Sequence, residues 1–133
     1  MIEWDKEHSL GLSIIDEEHK KVIEIINRII VAKQRDNYPE EIEAMLHEMI
    51  DYAWSHFKTE ESYMLEFNYS EYQYHKEEHY DFVHRMNSYC SRVVNGNYQF
   101  SNEILEFLKQ WLVRHIEGTD KRYIECFVKN GLK

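Results

Sequence analysis

HFKTEESYMLEFNYSEYQYHKEEH, residues 56–79, decides the fold. It opens on His56 and Glu60, four residues apart, and closes on His75 and His79, also four apart. Four residues make a little over one helical turn, so each pair projects from one face of its helix, about 6 Å apart. Asn68-Tyr69-Ser70 interrupts the two patterns, with Ser70 as the expected N-cap of the second. So short a break folds the helices into an antiparallel hairpin. Counted from it, Glu60 is level with His75, and His56 with His79. One HxxxE or HxxxH is common on helix surfaces; two that match in height across a hairpin are not.

Outward from the hairpin the same slab gains members. Upstream, Val22, Ile23, Ile25, Ile26, Ile29 and Ile30 recur at helical spacing from Asp16 to about Asp36. A turn at Asn37-Tyr38-Pro39 follows, with Pro39 suited to the first position of helix two, which runs to about Phe67. His19 lies as far before that turn as His56 lies after it. Downstream, helix three runs to Val94 and stops at Asn95-Gly96. Ser101 caps a fourth, which carries Ile104, Leu105, Leu108, Trp111 and Leu112 to about Glu117 and brings His115 to the same height. Gly118 interrupts it, and a short helix at 121–129 ends near Gly131. Residues 1 to about 15 read as a non-helical arm anchored by Trp4 and Leu10 to Leu12. The expectation is all-α: an antiparallel up-down-up-down four-helix bundle with an N-terminal arm and a short C-terminal helix, one domain over residues 1–133.

Asp120, five residues past His115, completes the set. On an unbroken α-helix that spacing turns the side chain about 140° away from the histidine. Gly118 is expected to supply the backbone freedom that turns it back. Five imidazoles and two carboxylates, with no thiolate, suit iron, manganese or zinc. One octahedral metal cannot use seven side chains. Two can, if both carboxylates and a solvent-derived hydroxide or oxide bridge them. One metal then has three imidazoles and is six-coordinate; the other has two and keeps an open position for a small ligand.

The remaining features exclude other classes. A net charge of −9 disfavours nucleic acid and anionic membranes. No apolar run approaches the roughly 20 residues of a membrane span. MIEWDKEH lacks the layout of a signal peptide, so a cytoplasmic protein is expected. Cys90 and Cys126, without CxxC spacing, read as inert reduced thiols. His47 and His84 fall on the opposite faces of their helices and His8 in the arm, so none of the three is expected to meet metal.

IDEEH (15–19), HFKTEE (56–61), HKEEH (75–79) and WLVRHIEGTDKRY (111–123), with Trp4, Gly11 and Met64, resemble the haemerythrin family in its single-domain bacterial form. The resemblance covers essentially the whole chain. It implies two iron ions (Fe2+/Fe3+), with His75, His79 and His115 on the saturated one. His19 and His56 then hold the open one, and Glu60 and Asp120 bridge. It implies dioxygen as reversible ligand, azide or similar anions in the oxidised form, and an oxygen pocket walled by Val22, Phe57, Trp111, Leu112 and Ile116. Tyr123 either bonds a ligand or simply packs. Glu18 departs from the glutamine that many members carry there, which alters a hydrogen bond and the local charge. The expected protein is a monomeric oxygen carrier or store, not an enzyme. The alternatives are an oxygen, redox or nitric oxide sensor or iron-handling protein acting through a partner, and a di-iron enzyme. Against the enzyme stands the donor set, since bundle oxygenases use more carboxylates and Glu-x-x-His motifs. Against the sensor stands the lack of an output domain in these residues.

Overall fold

The computed structural model describes residues 2–4, 6, 8–34, 39–94 and 101–133. The helices are α1 (Ser13–Gln34), α2 (Pro39–Glu66), α3 (Tyr72–Val94) and α4 (Ser101–Trp111). A π-helix (Leu112–Thr119), a 3-10 turn (Asp120–Tyr123) and α5 (Ile124–Lys129) follow. α1 packs on α2 and α4, and α2 on α3, an all-α four-helix bundle with no strand among the described residues. The expected signals at Asn37-Tyr38 and Asn95-Gly96, and the side chain of Ser101, lie outside the described residues.

α1 begins three residues before the expected Asp16, with the Asp16 N–H already bonded to the Leu12 carbonyl, and Asp16 ties the arm to this first turn. The Asp16 carboxylate accepts the Leu10 N–H and the Ser9 hydroxyl, both at 2.8 Å. Gly11, at φ +76°, turns the chain between them, a conformation that costs glycine nothing. The α2–α3 break is a Schellman motif. Asn68 sits at φ +55°, the Tyr69 N–H bonds the Met64 carbonyl and the Asn68 N–H bonds that of Leu65. α3 then starts at Tyr72, two residues past Ser70, so Ser70 is not its cap.

The larger correction concerns the C-terminal segment. The Asp120 N–H reaches back five residues to the His115 carbonyl, the bond that defines a π-turn. Gly118 takes an ordinary helical conformation inside it and is absent from the positive-φ residues. A wider turn, rather than glycine freedom, brings the aspartate round.

Two apolar clusters form the core. The large one holds Val22, Ile26, Met49, Phe57, Phe82, Met86, Leu108, Leu112 and Ile116 among others. The small one holds Leu10, Leu12, Ile15, Met64, Tyr123 and Phe127. Along each long element the chain passes from one cluster to the other through a polar gap: Ile15 to Val22 on α1, Phe57 to Met64 on α2, Ile116 to Tyr123 at the C-terminal end. On α3 the gap separates Tyr72, packed on the small cluster, from Phe82 in the large one. The candidate ligands occupy that gap.

Candidate metal centre

His19 comes from α1, His56 and Glu60 from α2, His75 and His79 from α3, His115 from the π-helix and Asp120 from the 3-10 turn. All seven are 2% exposed or less. Their donor atoms form two groups that share both carboxylates: Glu60, His75, His79, His115 and Asp120 in one, His19, His56, Glu60 and Asp120 in the other.

The spacing of these atoms is informative. Asp120 Oδ1 lies 2.7 Å from His75 Nε2 and 3.0 Å from His115 Nε2, while its Oδ2 lies 3.2 Å from His19 Nε2. Glu60 Oε1 lies 3.0 Å from His56 Nε2 and 3.4 Å from His79 Nε2. Asp120 therefore offers one oxygen to each group, and Glu60 offers a single oxygen to both. Donors bound side by side to an octahedral metal at about 2.1 Å sit roughly 3.0 Å apart. The contacts match that edge, yet few are hydrogen bonds. Both nitrogens of His19 and of His75, Nε2 of His56, Oε1 of Glu60 and both oxygens of Asp120 are buried without a hydrogen-bond partner among the described residues. Buried polar atoms rarely go unmatched, so the set requires something that accepts many lone pairs at once. A cation does.

Carboxylates outside the set hydrogen-bond two of the rings and face a third. Nδ1 of His56 lies 2.8 Å from Glu18 Oε1, and Nδ1 of His79 lies 2.8 Å from Glu61 Oε2. Nδ1 of His115 faces Glu78 Oε2 at 3.6 Å. A carboxylate on Nδ1 places the ring proton there and leaves Nε2 as a lone pair aimed inward. The Nε2 atoms of His79 and His115 nonetheless approach to 3.1 Å. Two lone pairs repel at that distance unless a proton or a metal ion lies between them.

The metal-free site meets the need with protons. Burial pulls the His56 imidazole down, but Glu60, Glu18 and Asp120 outweigh it and raise it to about 10. Burial likewise opposes the charge on His115, and Asp120 with Glu78 and Glu60 carries it up to about 9. Asp120 resists the upward push of its own burial: the charge of His115 and the close imidazoles of His19 and His75 hold it well below the usual carboxylate range. Tyr123, fully buried, donates its hydroxyl to Glu60 Oε2. Burial and the charges of Glu60 and Asp120 push that phenol well above its ordinary value, so it stays a donor.

Of the expected pocket residues, Val22, Phe57, Leu112 and Ile116 are buried in the large cluster, and Trp111 packs half-buried against it. The Phe57 ring stacks on His79 at 3.9 Å, and Trp111 on His115 at 4.4 Å. Both rings thus cover the three-imidazole group. His47 and His84 are exposed, and His8 is buried against Trp4 and Glu117, outside both groups. Cys90 and Cys126 are free thiols, and burial pushes Cys90 up to about 11. Sequence reasoning passed over Glu61 and Glu78. Each sits one position off a ligand stripe, a face that helical periodicity assigns to solvent.

The model of the hemerythrin HHE cation binding domain matches residues 10–127. The "Bacteriohemerythrin" of Stenotrophomonas maltophilia (strain R551-3) is 32% identical over 125 residues, covering 94% of this chain and 80% of its own. That of Clostridium acetobutylicum is 30% identical over 129 residues, 94% of this chain and all of its own. A crystal structure of wild-type hemerythrin superposes with a TM-score of 0.85 at 27% identity, over 96% of this chain and 98% of that one. With the fold, the seven converging donors and these relatives in agreement, the chain belongs to the haemerythrin family.

Proposed function

We propose that this chain binds dioxygen reversibly, for carriage, storage or delivery, at a pair of iron ions held by the seven residues. The observation that carries the reading is the unequal donor count, three imidazoles in one group and two in the other around shared Glu60 and Asp120. His75, His79 and His115 would hold a six-coordinate metal, and His19 and His56 a metal one ligand short, with the carboxylates and a solvent-derived hydroxide or oxide as bridges. Iron supplies the Fe2+/Fe3+ electrons for binding and release. The residues supply the rest. Neutral imidazoles keep the charge of the centre low, and only two carboxylates serve two metals, which favours reversible cycling over O–O cleavage. We therefore read the chain as a binder, not an enzyme. Val22, one turn from His19, together with Leu112, Ile116, Phe57 and Trp111, forms an apolar surround that keeps out water and protons, which would leave the iron oxidised.

The test is an optical spectrum with metal analysis. Reduced protein should carry close to two irons per chain, colour on exposure to oxygen and fade under vacuum. Azide should bind the oxidised form. A fully folded protein with a single zinc, or one that consumes oxygen irreversibly while altering a co-substrate, would overturn the reading.

A further inference from the structure

We propose that Glu18 is the positioning residue of the two-imidazole half of the centre, and that it sets how tightly the second metal ion is held. The inference rests on the two-metal reading above. Five imidazoles point inward, but their outer nitrogens are held unequally. In the three-imidazole half, Glu61 holds His79 at 2.8 Å, Glu78 faces His115 at 3.6 Å, beyond a hydrogen bond, and Nδ1 of His75 has no hydrogen-bond partner among the described residues. In the two-imidazole half, Nδ1 of His19 is buried without a hydrogen-bond partner among the described residues. Orientation there depends on one contact, Glu18 Oε1 to His56 Nδ1 at 2.8 Å.

Glu18 is well placed for this. It stands beside His19 on α1 and reaches across to α2, so one carboxylate ties together the two helices that carry this half. The Thr59 hydroxyl lies 3.4 Å from Glu18 Oε2 and 3.3 Å from the Ser55 carbonyl, so its one proton is shared between the two. The Glu18 side chain is 23% exposed, so it can be replaced without opening the core. Its negative charge makes His56 a stronger donor and keeps Nδ1 as the outer, proton-bearing nitrogen, so that Nε2, facing Glu60 Oε1, is the one that would take the metal. A metal with two imidazoles has fewer bonds to lose than one with three, so the loss of ring orientation weakens it most.

The experiment titrates metal-free protein with Co2+ against a competing chelator and resolves the two binding constants. Wild type should take two equivalents. Glu18→Ala should weaken the second roughly 10- to 100-fold and leave the first unchanged. Glu18→Gln, whose amide oxygen still accepts the Nδ1 proton, should recover part of that loss. Nitrogen-15 spectra of the metal-free protein should show the His56 Nδ1–H signal in wild type and Glu18→Gln, and its loss in Glu18→Ala. Both constants unchanged, or both weakened alike, would overturn the role assigned to Glu18. Wild type saturating at one equivalent would bring down the two-metal reading, and this inference with it, a result distinct from either.

Discussion

On α2 and α3 the ligand pairs stand four residues apart on regular α-helix; at the C-terminal end His115 and Asp120 stand five apart on a π-helix and the turn that follows it. Both solutions put two donors on one face. They differ in what else they fix. In an α-helix the four-residue spacing of His75 and His79 is also that of the core residues Phe82 and Met86 beyond them, so ligands and core share one periodicity. The wider turn lets the C-terminal segment present His115, then Asp120, and still deliver Tyr123 and Phe127 to the small cluster. One element buries its donors by continuing a pattern, and the other by adding a residue to it.

That difference predicts opposite responses to the same edit, which is the largest effect expected. Deleting exposed Lys76 leaves His75 and His79 three apart and rotates one side of α3 by about 100° against the other. Either His75 or the stripe of Phe82 and Met86 must leave the core, and each large apolar side chain is worth roughly 1.5–3 kcal/mol. The metal should be lost and the fold badly weakened. Deleting exposed Gly118 instead leaves His115 and Asp120 four apart, which suits an α-turn. Metal content, measured directly, should survive the second deletion and not the first. Equal loss in both would remove the distinction.

A smaller contrast lies in pH. In metal-free protein His56 on α2 is raised to about 10 and His115 on the π-helix to about 9, from an ordinary value of 6.5. A raised histidine contributes stability that is complete below 6.5 and declines as pH rises to the folded value. Metal-free protein should therefore lose stability on the alkaline side, with the His115 share exhausted first, near 9, and the His56 share near 10. Depressed Asp120 acts in the opposite sense, its contribution present above the usual carboxylate range and lost in acid. Urea midpoints measured against pH give the curve, and loading with metal should flatten its alkaline arm because bound imidazoles no longer titrate. A metal-free curve flat from 7 to 10 would mean that the buried pairs are not charged.

Much of this was legible in the sequence, for reasons that trace to periodicity. His19, His56, Glu60, His75 and His79 obey α-helical spacing, so their common height could be counted from the turns. Residue type and position place Asp120 in the set, but the sequence points to Gly118 for its geometry, because a single-sequence pattern does not distinguish a kink from a π-turn. The partners of the ring nitrogens were harder still. Glu61 lies next to Glu60 yet hydrogen-bonds His79, and Glu78 lies next to His79 yet faces His115. Such crossings depend on how helices face one another, which spacing along one helix does not carry.

The smallest effect expected is also the sharpest on that point. If Gly118 supplied special backbone freedom, alanine there would be costly. In the structure Gly118 has helical φ, and an added Cβ would meet only the Val113 carbonyl oxygen at 3.8 Å, an ordinary contact. Alanine favours a helix over glycine by about 0.5–1 kcal/mol, so Gly118→Ala should leave stability unchanged or raise it slightly. Gly131 is the internal control. It sits at φ +95° and closes the C-terminal Schellman motif, with its N–H on the Val128 carbonyl and that of Leu132 on Phe127. Gly131→Ala forces a side chain into the left-handed region and should destabilise by about 1 kcal/mol. Thermal unfolding of the two variants, compared at equal metal content, separates a glycine that shapes the chain from one that merely occupies a helix. A loss at Gly118 as large as that at Gly131 would return the aspartate's position to the glycine and take it from the π-turn.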